Sequence, residues 1–531
     1  MNYFTYIFTD SFGEFDEMER ELLDKASQNQ KTDKKQFPDS DTLEVQIAWA
    51  MDNGDFEKAR TILESAKKYF PNSEEFMLLE ILLEREENLE NALELCNKYC
   101  SRTGDDNILL LKATLLFLLY DFIQADECFY LFLKKVLNKN DEAERADFFL
   151  NMALFLVCED FSDENGDLSA EIDVTRDIHV KKYVEEAIKL KYSVINLNFF
   201  ADRFFTFGYV DIAKKVINHA IDIDSYNVEL WRTLAVICSS AGEYAEAAEA
   251  YKYLIALNDY DKHLYFKCAV CYQKIGKYKE SIENFELQIE KYPDELLDNN
   301  FWASLLIGIG LNYMQMEDFV HAITCFNYIL NKINSNHFQA FVYLGRCYYL
   351  LNDNDKAIFY VQKAIGLKPD YDNFEYENLY SIIGQLFLDF AQQVKPFNRE
   401  YLINAVVAYS KSLMYLNMAR RYDILKIEML DAANSATLTQ LGSIYFLLSD
   451  YINALINFQM AYRFDDRTPQ LNIFLTLSYL YLGMKENAFI HYKLIDEEEI
   501  KKNEYHKNFP ILDSLIEYEE FSFEKPENSE I

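Results

Sequence analysis

The stretch Val228–Pro293 contains two consecutive copies of one sequence pattern. The first copy, residues 228–258, reads VELWRTLAVICSSAGEYAEAAEAYKYLIALN, and the second, residues 264–293, reads LYFKCAVCYQKIGKYKESIENFELQIEKYP. Three landmarks recur after 34 residues: Gly242 as Gly276, Tyr244 as Tyr278 and Ala247 as Ser281. A fixed period of this length indicates an array of helical repeats.

Each copy has the pattern of two amphipathic helices joined by a turn. Apolar residues fall at helical spacing in two blocks, and a turn at Gly242 separates them. The small residues Ala235 and Ala247 allow the two helices to approach closely, and Trp231 and Tyr251 fill the space beside them. One such pair cannot bury its apolar face alone, so we expect each pair to stack on its neighbours.

This pattern resembles the tetratricopeptide repeat family. In that family a Trp, Leu, Gly/Ala, Tyr series on one helix meets an Ala, Phe/Tyr, Ala series on the next helix, and a Pro closes the unit. The resemblance implies an all-α fold, an α-solenoid of stacked antiparallel helix pairs in a right-handed superhelix. It also implies that the first helix of each unit lines a concave groove, where partners bind.

The repeat continues along most of the chain and is interrupted twice, near residues 159–176 and near residues 388–433. We therefore predict seven segments: an N-terminal helix and polar linker at 1–39, about three repeats at 40–139, an irregular helix pair with an acidic insert at 140–193, about five repeats at 194–371, an irregular helix pair with an extra helix at 372–434, two repeats at 435–497, and a capping helix with an acidic tail at 498–531.

The composition narrows the range of partners. The chain has 88 acidic and 52 basic residues, and its formal net charge is −36. A polyanion of this size repels phosphate backbones and anionic lipid surfaces, so we expect neither a nucleic-acid nor a membrane partner. The charge itself keeps a long solenoid soluble.

The sequence predicts a cytoplasmic location. The first residues lack a basic start, and Asp10 interrupts their short apolar run, so no secretory signal is evident. The most apolar segment, Ile108–Tyr120, contains Lys112 and is too short to span a bilayer. Cysteines at packing positions of the repeat, such as Cys238 and Cys347, indicate reduced thiols.

Two motifs suggest metal binding but fit a structural interpretation better. Cys268-x-x-Cys271 lacks the second ligand pair of a zinc site, and Cys268 stands where the repeat needs a buried apolar residue. The series Asp163-x-Asn165-x-Asp167 has Leu168 where a calcium loop needs glycine, which favours a solvated acidic loop.

No metal, cofactor or small-molecule substrate is predicted. No catalytic motif is evident, so the sequence predicts a protein that is not an enzyme.

The candidate binding residues lie at exposed positions on the first helices. They are Arg232, Phe266, Gln273, Met314, Arg346, Tyr349, Phe446 and Tyr481, and Leu477 is expected on the same surface. Family members that grip a C-terminal carboxylate present a Lys/Asn/Arg clamp, whereas this chain has Arg232 and Phe266 at those positions. A largely apolar and aromatic groove suits an extended apolar peptide or an amphipathic helix. Alternatively, the aromatic residues pack inside the array.

Two functions follow from this interpretation. In the first, the chain is a non-enzymatic interaction scaffold that binds a protein or peptide partner in its concave groove. In the second, it is a regulatory or assembly subunit of a larger complex that acts through self-association or through its inserts.

Overall fold

The structure, a computed structural model, is all-α. It describes residues 39–102, 106–136, 142–158, 170–257, 260–293, 298–367, 376–393, 397–421, 427–464, 468–495 and 509–515. The chain divides into two compact units, residues 1–271 and 272–531. Throughout the described ranges, no helix is both long enough and apolar enough to cross a membrane.

The first unit consists of consecutive helix pairs. Its helices are α1 (Ser40–Asp52), α2 (Phe56–Tyr69), α3 (Glu74–Arg85), α4 (Leu89–Cys100), α5 (Asp106–Leu118), α6 (Phe122–Val136), α7 (Glu142–Cys158), α8 (Ala170–Ile188), α9 (Val194–Thr206), α10 (Val210–Ile223), α11 (Val228–Ser240) and α12 (Tyr244–Ala256). The division between the units falls within α13 (Leu264–Lys274).

The second unit continues in the same manner. Its helices are α14 (Tyr278–Lys291), α15 (Asn299–Gln315), α16 (Phe319–Tyr328) with a π-helical turn at Ile329–Ile333, α17 (Phe338–Leu350), α18 (Asn354–Gly366), α19 (Tyr376–Gln393), α20 (Arg399–Arg421), α21 (Ile427–Leu447), α22 (Tyr451–Tyr462), α23 (Pro469–Tyr481) and α24 (Lys485–Tyr492). Helices adjacent in the chain pack on each other in both units, which confirms the predicted solenoid of helix pairs. The division into seven segments stays a prediction.

The turn inside most of the described pairs places one residue at positive φ, although the turn between α3 and α4 has none. Gly242 and Gly276, the landmarks of the repeat, have φ values of 81° and 78°. This left-handed conformation favours glycine because a Cβ atom strains it. Other pairs have a larger residue at the same point of the turn, and Glu317 and Ser449 adopt φ values of 60° and 63° there.

Small residues on the first helices make room for large residues on the second helices. A Cβ atom added to Gly310 would lie 2.5 Å from the Phe326 ring, and one added to Gly442 would lie 2.5 Å from the Phe458 ring. Gly384 contacts the Tyr409 ring in the same way. The paired helices therefore approach as closely as the backbone of the first helix allows.

A half-buried carboxylate on α6 joins the preceding helix pair to α8, the second of the two helices that flank the acidic insert. Asp126 on α6 accepts hydrogen bonds from Lys182 and Tyr183 on α8, and His179 Nε2 lies 3.5 Å from Asp126 Oδ2. The other ring nitrogen of His179, Nδ1, lies 2.8 Å from the carbonyl oxygen of Thr175. Because both nitrogens face acceptors, the charged imidazolium is the form that donates both hydrogen bonds.

The pKa values of this cluster follow from its contacts. Partial burial disfavours the ionised form of Asp126, but hydrogen bonds from His179, Lys182 and Tyr183 outweigh burial and lower the Asp126 pKa to about 2. The hydrogen bond to Asp126 raises the pKa of His179 above 6.5, against the opposing effect of its own partial burial.

The second interruption contains the two longest helices of its region. Among the residues that the structure describes there, α20 has 23 residues and α21 has 21 residues. The extra helix expected within residues 372–434 stays a prediction. No glycine or proline occurs between Phe397 and Gly442, so nothing in the sequence ends these helices early.

The end of the second unit is covered by a short segment. Pro510–Leu512 forms a 3₁₀ turn that packs on α23, and Leu512 and Leu515 are fully buried there. The predicted N-terminal helix, the Asp163–Asp167 loop and the acidic tail lie outside the described residues.

We expect Gly310→Ala to destabilise the second unit by about 1–3 kcal/mol, because the new methyl group would overlap the Phe326 ring. Thermal unfolding followed by circular dichroism measures the effect as a lower midpoint. The matched control is Gly366→Ala, at a position where an added Cβ meets nothing within 4 Å. A Gly310→Ala midpoint equal to that of the control contradicts the close-approach argument.

We expect His179→Gln to reduce stability most at mildly acid pH. A raised folded-state pKa contributes stability that is fully present below pH 6.5 and is lost as pH rises through the folded value. The depressed pKa of Asp126 contributes stability that is lost only as pH falls from 3.8 towards about 2. The difference in urea midpoint between the wild type and the variant is therefore largest between pH 3.8 and pH 6.5.

The control for this experiment is the same substitution in an Asp126→Asn background. Without the carboxylate, the effect of His179→Gln on the urea midpoint should depend much less on pH, because only burial and the contact with Thr175 then shift the His179 pKa. A pH dependence that is equally large in the Asp126→Asn background contradicts the assignment of the effect to this pair.

Candidate functional site

The structure places all eight predicted groove residues on first helices. Arg232 is on α11, Phe266 and Gln273 are on α13, Met314 is on α15, Arg346 and Tyr349 are on α17, Phe446 is on α21, and Tyr481 is on α23. Their surroundings differ, and only two groups of them converge within a unit.

In the first unit, Arg232 is engaged within the array. Its guanidinium pairs with Glu229 at 2.6 Å and lies over the Tyr260 ring, with 4.9 Å between the guanidinium carbon and the ring centroid. Phe266 is half-buried. The positive charge at this position is therefore already neutralised by a carboxylate one turn earlier on the same helix.

In the second unit, Gln273 belongs to a buried polar network. Its amide nitrogen donates to the carbonyl oxygen of Gly308 at 3.2 Å and to Asn312 Oδ1 at 3.0 Å. The Asn312 amide nitrogen donates to Ser281 Oγ at 2.8 Å, and both Asn312 and Ser281 are fully buried. Gln273 thus joins α13, α14 and α15, because each buried polar atom requires a partner. Met314 packs on the neighbouring apolar cluster.

Arg346 and Tyr349 line one cleft between α17 and α19. The cleft has a volume of about 360 Å³. Its lining consists of Arg346, Tyr349, Leu350, Ser381, Ile382, Gln385, Leu386 and Asp389. Leu350, Ile382 and Leu386 make its apolar surface, and the other side chains supply polar groups.

The polar groups of the cleft are only partly paired with one another. Gln385 Nε2 donates to Asp389 Oδ1 at 2.8 Å, and Gln385 Oε1 accepts from the Tyr409 hydroxyl at 3.2 Å. Partial burial raises the pKa of Tyr349, and its hydrogen bond to Asp389 raises that pKa further. Arg346 is exposed and makes no hydrogen bond or ion pair with any residue that the structure describes.

The sequence pattern indicates the cleft residues on α17 but not those on α19. Ser381, Gln385 and Asp389 recur every four residues on α19, on the face opposite the buried Tyr380 and Phe387. This spacing is visible in the sequence. The repeat pattern does not indicate these residues, because the segment 372–434 departs from the 34-residue period.

Phe446 and Tyr481 form a second group with Tyr451. The Phe446 and Tyr481 rings lie edge to face with centroids 5.5 Å apart, and Tyr451 stacks on Tyr481 at 4.5 Å. Tyr481 keeps 43% of its surface exposed.

The prediction that Leu477 is exposed on this surface is wrong. It is fully buried in the apolar cluster that includes Leu512 and Leu515, because the terminal segment covers α23.

Cys268 and Cys271 have the properties of packing residues. Both are buried free thiols, and burial raises the pKa of Cys268 to about 12 and that of Cys271 to about 11. They are therefore protonated at neutral pH and are poor ligands or nucleophiles in that form.

One further group in the first unit has the residue types of a metal site. Cys238, Glu243 and Glu246 have their ligand atoms within 4.8 Å of one another. Lys214 already pairs with both carboxylates, at 2.8 Å from Glu246, and burial raises the pKa of Cys238 to about 12. The ammonium group thus offsets one of the two negative charges, and these ion pairs join α10 to the following helix pair.

Comparison with known proteins agrees with the repeat pattern. Two models of the tetratricopeptide repeat match, one at residues 43–73 and one at residues 338–371. The second match contains α17 and hence Arg346 and Tyr349. No curated protein is significantly similar to the chain.

Several solved structures resemble parts or all of the chain at low scores. The Cut9–Hcn1 hetero-tetramer structure is 13% identical, with 97% of this chain and 98% of that chain covered and a TM-score of 0.32. A tetratricopeptide repeat protein of Cytophaga hutchinsonii is 16% identical, with 51% and 98% covered and a TM-score of 0.35. YrrB, described as having an unusual peptide-binding site, is 18% identical, with 36% and 93% covered and a TM-score of 0.28.

Three observations identify the family: the 34-residue period, the helix pairs with a small residue facing a large one, and the two repeat-model matches. The chain is a tetratricopeptide repeat protein.

Proposed function

We propose that the chain is an interaction scaffold that holds a segment of a partner protein in the cleft between α17 and α19. The observation that carries the proposal is Arg346, an exposed cation that lines a cleft of mixed apolar and polar side chains and has no partner among the described residues. The proposal is supported by the match to the tetratricopeptide repeat, an interaction module, and by the position of the cleft on first helices, where the family resemblance implies a binding groove.

The cleft has the mixture of groups that an extended peptide requires. Its volume of about 360 Å³ lies at the lower end of the range typical of ligand sites, so it holds one or two side chains rather than a large ligand. Leu386 and Ile382 contact an apolar side chain, Asp389 accepts a backbone N–H, and Arg346 donates to a carboxylate of the partner.

The aromatic group of Phe446, Tyr451 and Tyr481 is proposed as a second anchor for the same partner. Ring side chains with one exposed edge supply contact area at a low entropic cost on binding. Met314 is proposed as a peripheral contact, whereas Gln273 is already committed to the network with Asn312.

We further propose that the protein acts in the cytoplasm. The buried cysteines Cys96, Cys238, Cys268, Cys271 and Cys347 are free thiols. A reducing compartment keeps such thiols free, whereas an oxidising one favours disulfides.

We expect the double substitution Arg346→Ala and Tyr349→Ala to abolish capture of the partner. Affinity purification of the wild-type chain from its source cells, followed by mass spectrometry, identifies the partner. Titration of the purified partner should then show at least a tenfold weaker Kd for the double variant, about 1.4 kcal/mol of binding free energy.

The matched control removes a cation and an aromatic ring from a second helix of the same repeat. Lys363 lies over the exposed Phe359 ring on α18, with Nζ 5.7 Å from its centroid. Phe359→Ala with Lys363→Ala should bind like wild type. Equal affinity of wild type and the Arg346/Tyr349 variant contradicts the cleft assignment.

A further inference from the structure

The first helices at the end of the second unit carry very few charges. Arg346 is the only charged residue on α17, α23 has none, and on α21 the charged residues are confined to the first five positions. Within the lining of the cleft, Asp389 on α19 is the only anion and Arg346 the only cation. Single charges therefore stand out on this surface, which we call the first-helix face of α17, α19, α21 and α23.

Three features follow one another along the first-helix face. Nearest the end of the array is the aromatic group of Phe446, Tyr451 and Tyr481, which α21, α22 and α23 supply. The anion Asp389 on α19 comes next, and the cation Arg346 on α17 is the third. A segment that runs from α23 towards α17 therefore meets an aromatic, then an anionic and then a cationic position.

The chain after α24 returns to this end of the array. Leu512 and Leu515 are fully buried against the apolar cluster of α23. Residues 516–531, which we call the tail, follow Leu515 and lie outside the described residues. The tail reads IEYEEFSFEKPENSEI and contains six acidic residues and one basic residue. Its starting point is thus fixed on the helix that carries Tyr481.

The order of residues in the tail matches the order of features on the first-helix face. Phe521 and Phe523 come first, Lys525 follows, and Glu527 comes after it. These are two aromatic residues, a cation and an anion, and they complement in turn the aromatic group, the anion and the cation of the face. Pro526 favours an extended backbone at this point, because the residue before a proline is disfavoured in the helical region.

The tail is long enough to reach all three features. Packed helices lie about 8–10 Å apart, so the cleft is roughly 30–35 Å from the terminal segment across α19, α21 and α23. Glu527 follows Leu515 by 12 residues, and an extended chain of that length spans about 40 Å. Glu519 follows Leu515 by only four residues, or about 13 Å, and cannot reach the cleft.

Covalent linkage favours the tail over a separate acidic segment. The chain has a net charge of −36, which repels an independent acidic protein. A segment joined to its site by a short linker instead has an effective concentration in the millimolar range. The carboxylate that most readily reaches Arg346 is therefore one that the same chain supplies.

We propose that the tail docks along the first-helix face of its own second unit. Its two phenylalanines contact the aromatic group, Lys525 pairs with Asp389, and Glu527 pairs with Arg346. This inference rests on the proposed function, because the tail occupies the cleft that is assigned to the partner. The tail is then an internal competitor, which a partner must displace in order to bind.

Photo-crosslinking of the full chain tests docking without a partner. With p-benzoylphenylalanine in place of Asn528, we expect crosslinks within one chain to peptides of α17 or α19, identified by mass spectrometry. Arg346→Glu should reduce the crosslink yield about fivefold or more, because two like charges then face each other. Glu527→Arg in that background should restore the yield.

The matched control is Glu519→Arg in the same Arg346→Glu background. It adds the same charge to the tail at a position that cannot reach the cleft, so it should not restore the yield. All variants should keep the wild-type thermal midpoint, which separates loss of docking from unfolding. The proposal is overturned by crosslinks that only join two chains or miss both helices, by a yield that Arg346→Glu leaves unchanged, or by equal restoration in the two arginine variants.

Partner binding distinguishes this inference from the proposed function. Phe521→Ser with Phe523→Ser should strengthen the affinity for the purified partner about tenfold, because the internal competitor is weakened. An unchanged Kd overturns the competition even where the crosslink forms. If the partner needs Arg346 and no crosslink within one chain forms, the tail inference fails and the proposed function stands. If the crosslink forms but no partner depends on Arg346, docking of the tail is supported and the proposed function fails.

Discussion

The architecture depends on the close approach of two helices within each pair. Where the first helix has glycine, as at Gly310, Gly384 and Gly442, the ring of the second helix lies against bare backbone. Alanine on the second helix has the complementary role, and Ala247, Ala322 and Ala454 are all fully buried. Each pair thus forms a thin, tightly packed layer, and its remaining apolar surface must be buried by the next layer.

This constraint determines which side chains are free to act. The faces between helices are used for packing, so partners meet only the outward faces of the first and second helices. On α17 and α19 that surface is a cleft in which the Arg346 guanidinium has no partner among the described residues, and on α22 it is an apolar stripe of Ile452, Ile456 and Met460. The two surfaces differ in chemistry, and the proposed peptide segment is assigned to the cleft.

Irregular segments are accommodated without disturbing the pairing. The acidic insert separates α7 from α8, yet α8 packs on α7 and contacts the preceding pair through Asp126. Similarly, the additional residues near 418–433 lengthen α20 and α21 while the contact between Gly442 and Phe458 is kept. Departures from the 34-residue period therefore change the surface of the array more than its core.

The sequence by itself determined the features that depend on neighbouring residues. Helical spacing, the turn at Gly242 and the burial of Cys268 follow from local periodicity and from the size of single residues, and the structure bears them out. The positive φ of Glu317 and Ser449 was not predictable from residue type, because neither is glycine and the turn is imposed by the two helices that it joins.

Only the tertiary structure decided which exposed positions remain available. Leu477 is buried because a segment more than thirty residues later covers α23, and Gln273 is committed because Asn312 on another helix accepts its hydrogen bond. The cleft itself needs Arg346 from one repeat and Asp389 from the next. Helical periodicity assigns a residue to a face, but what meets that face is set by packing between segments distant in the chain.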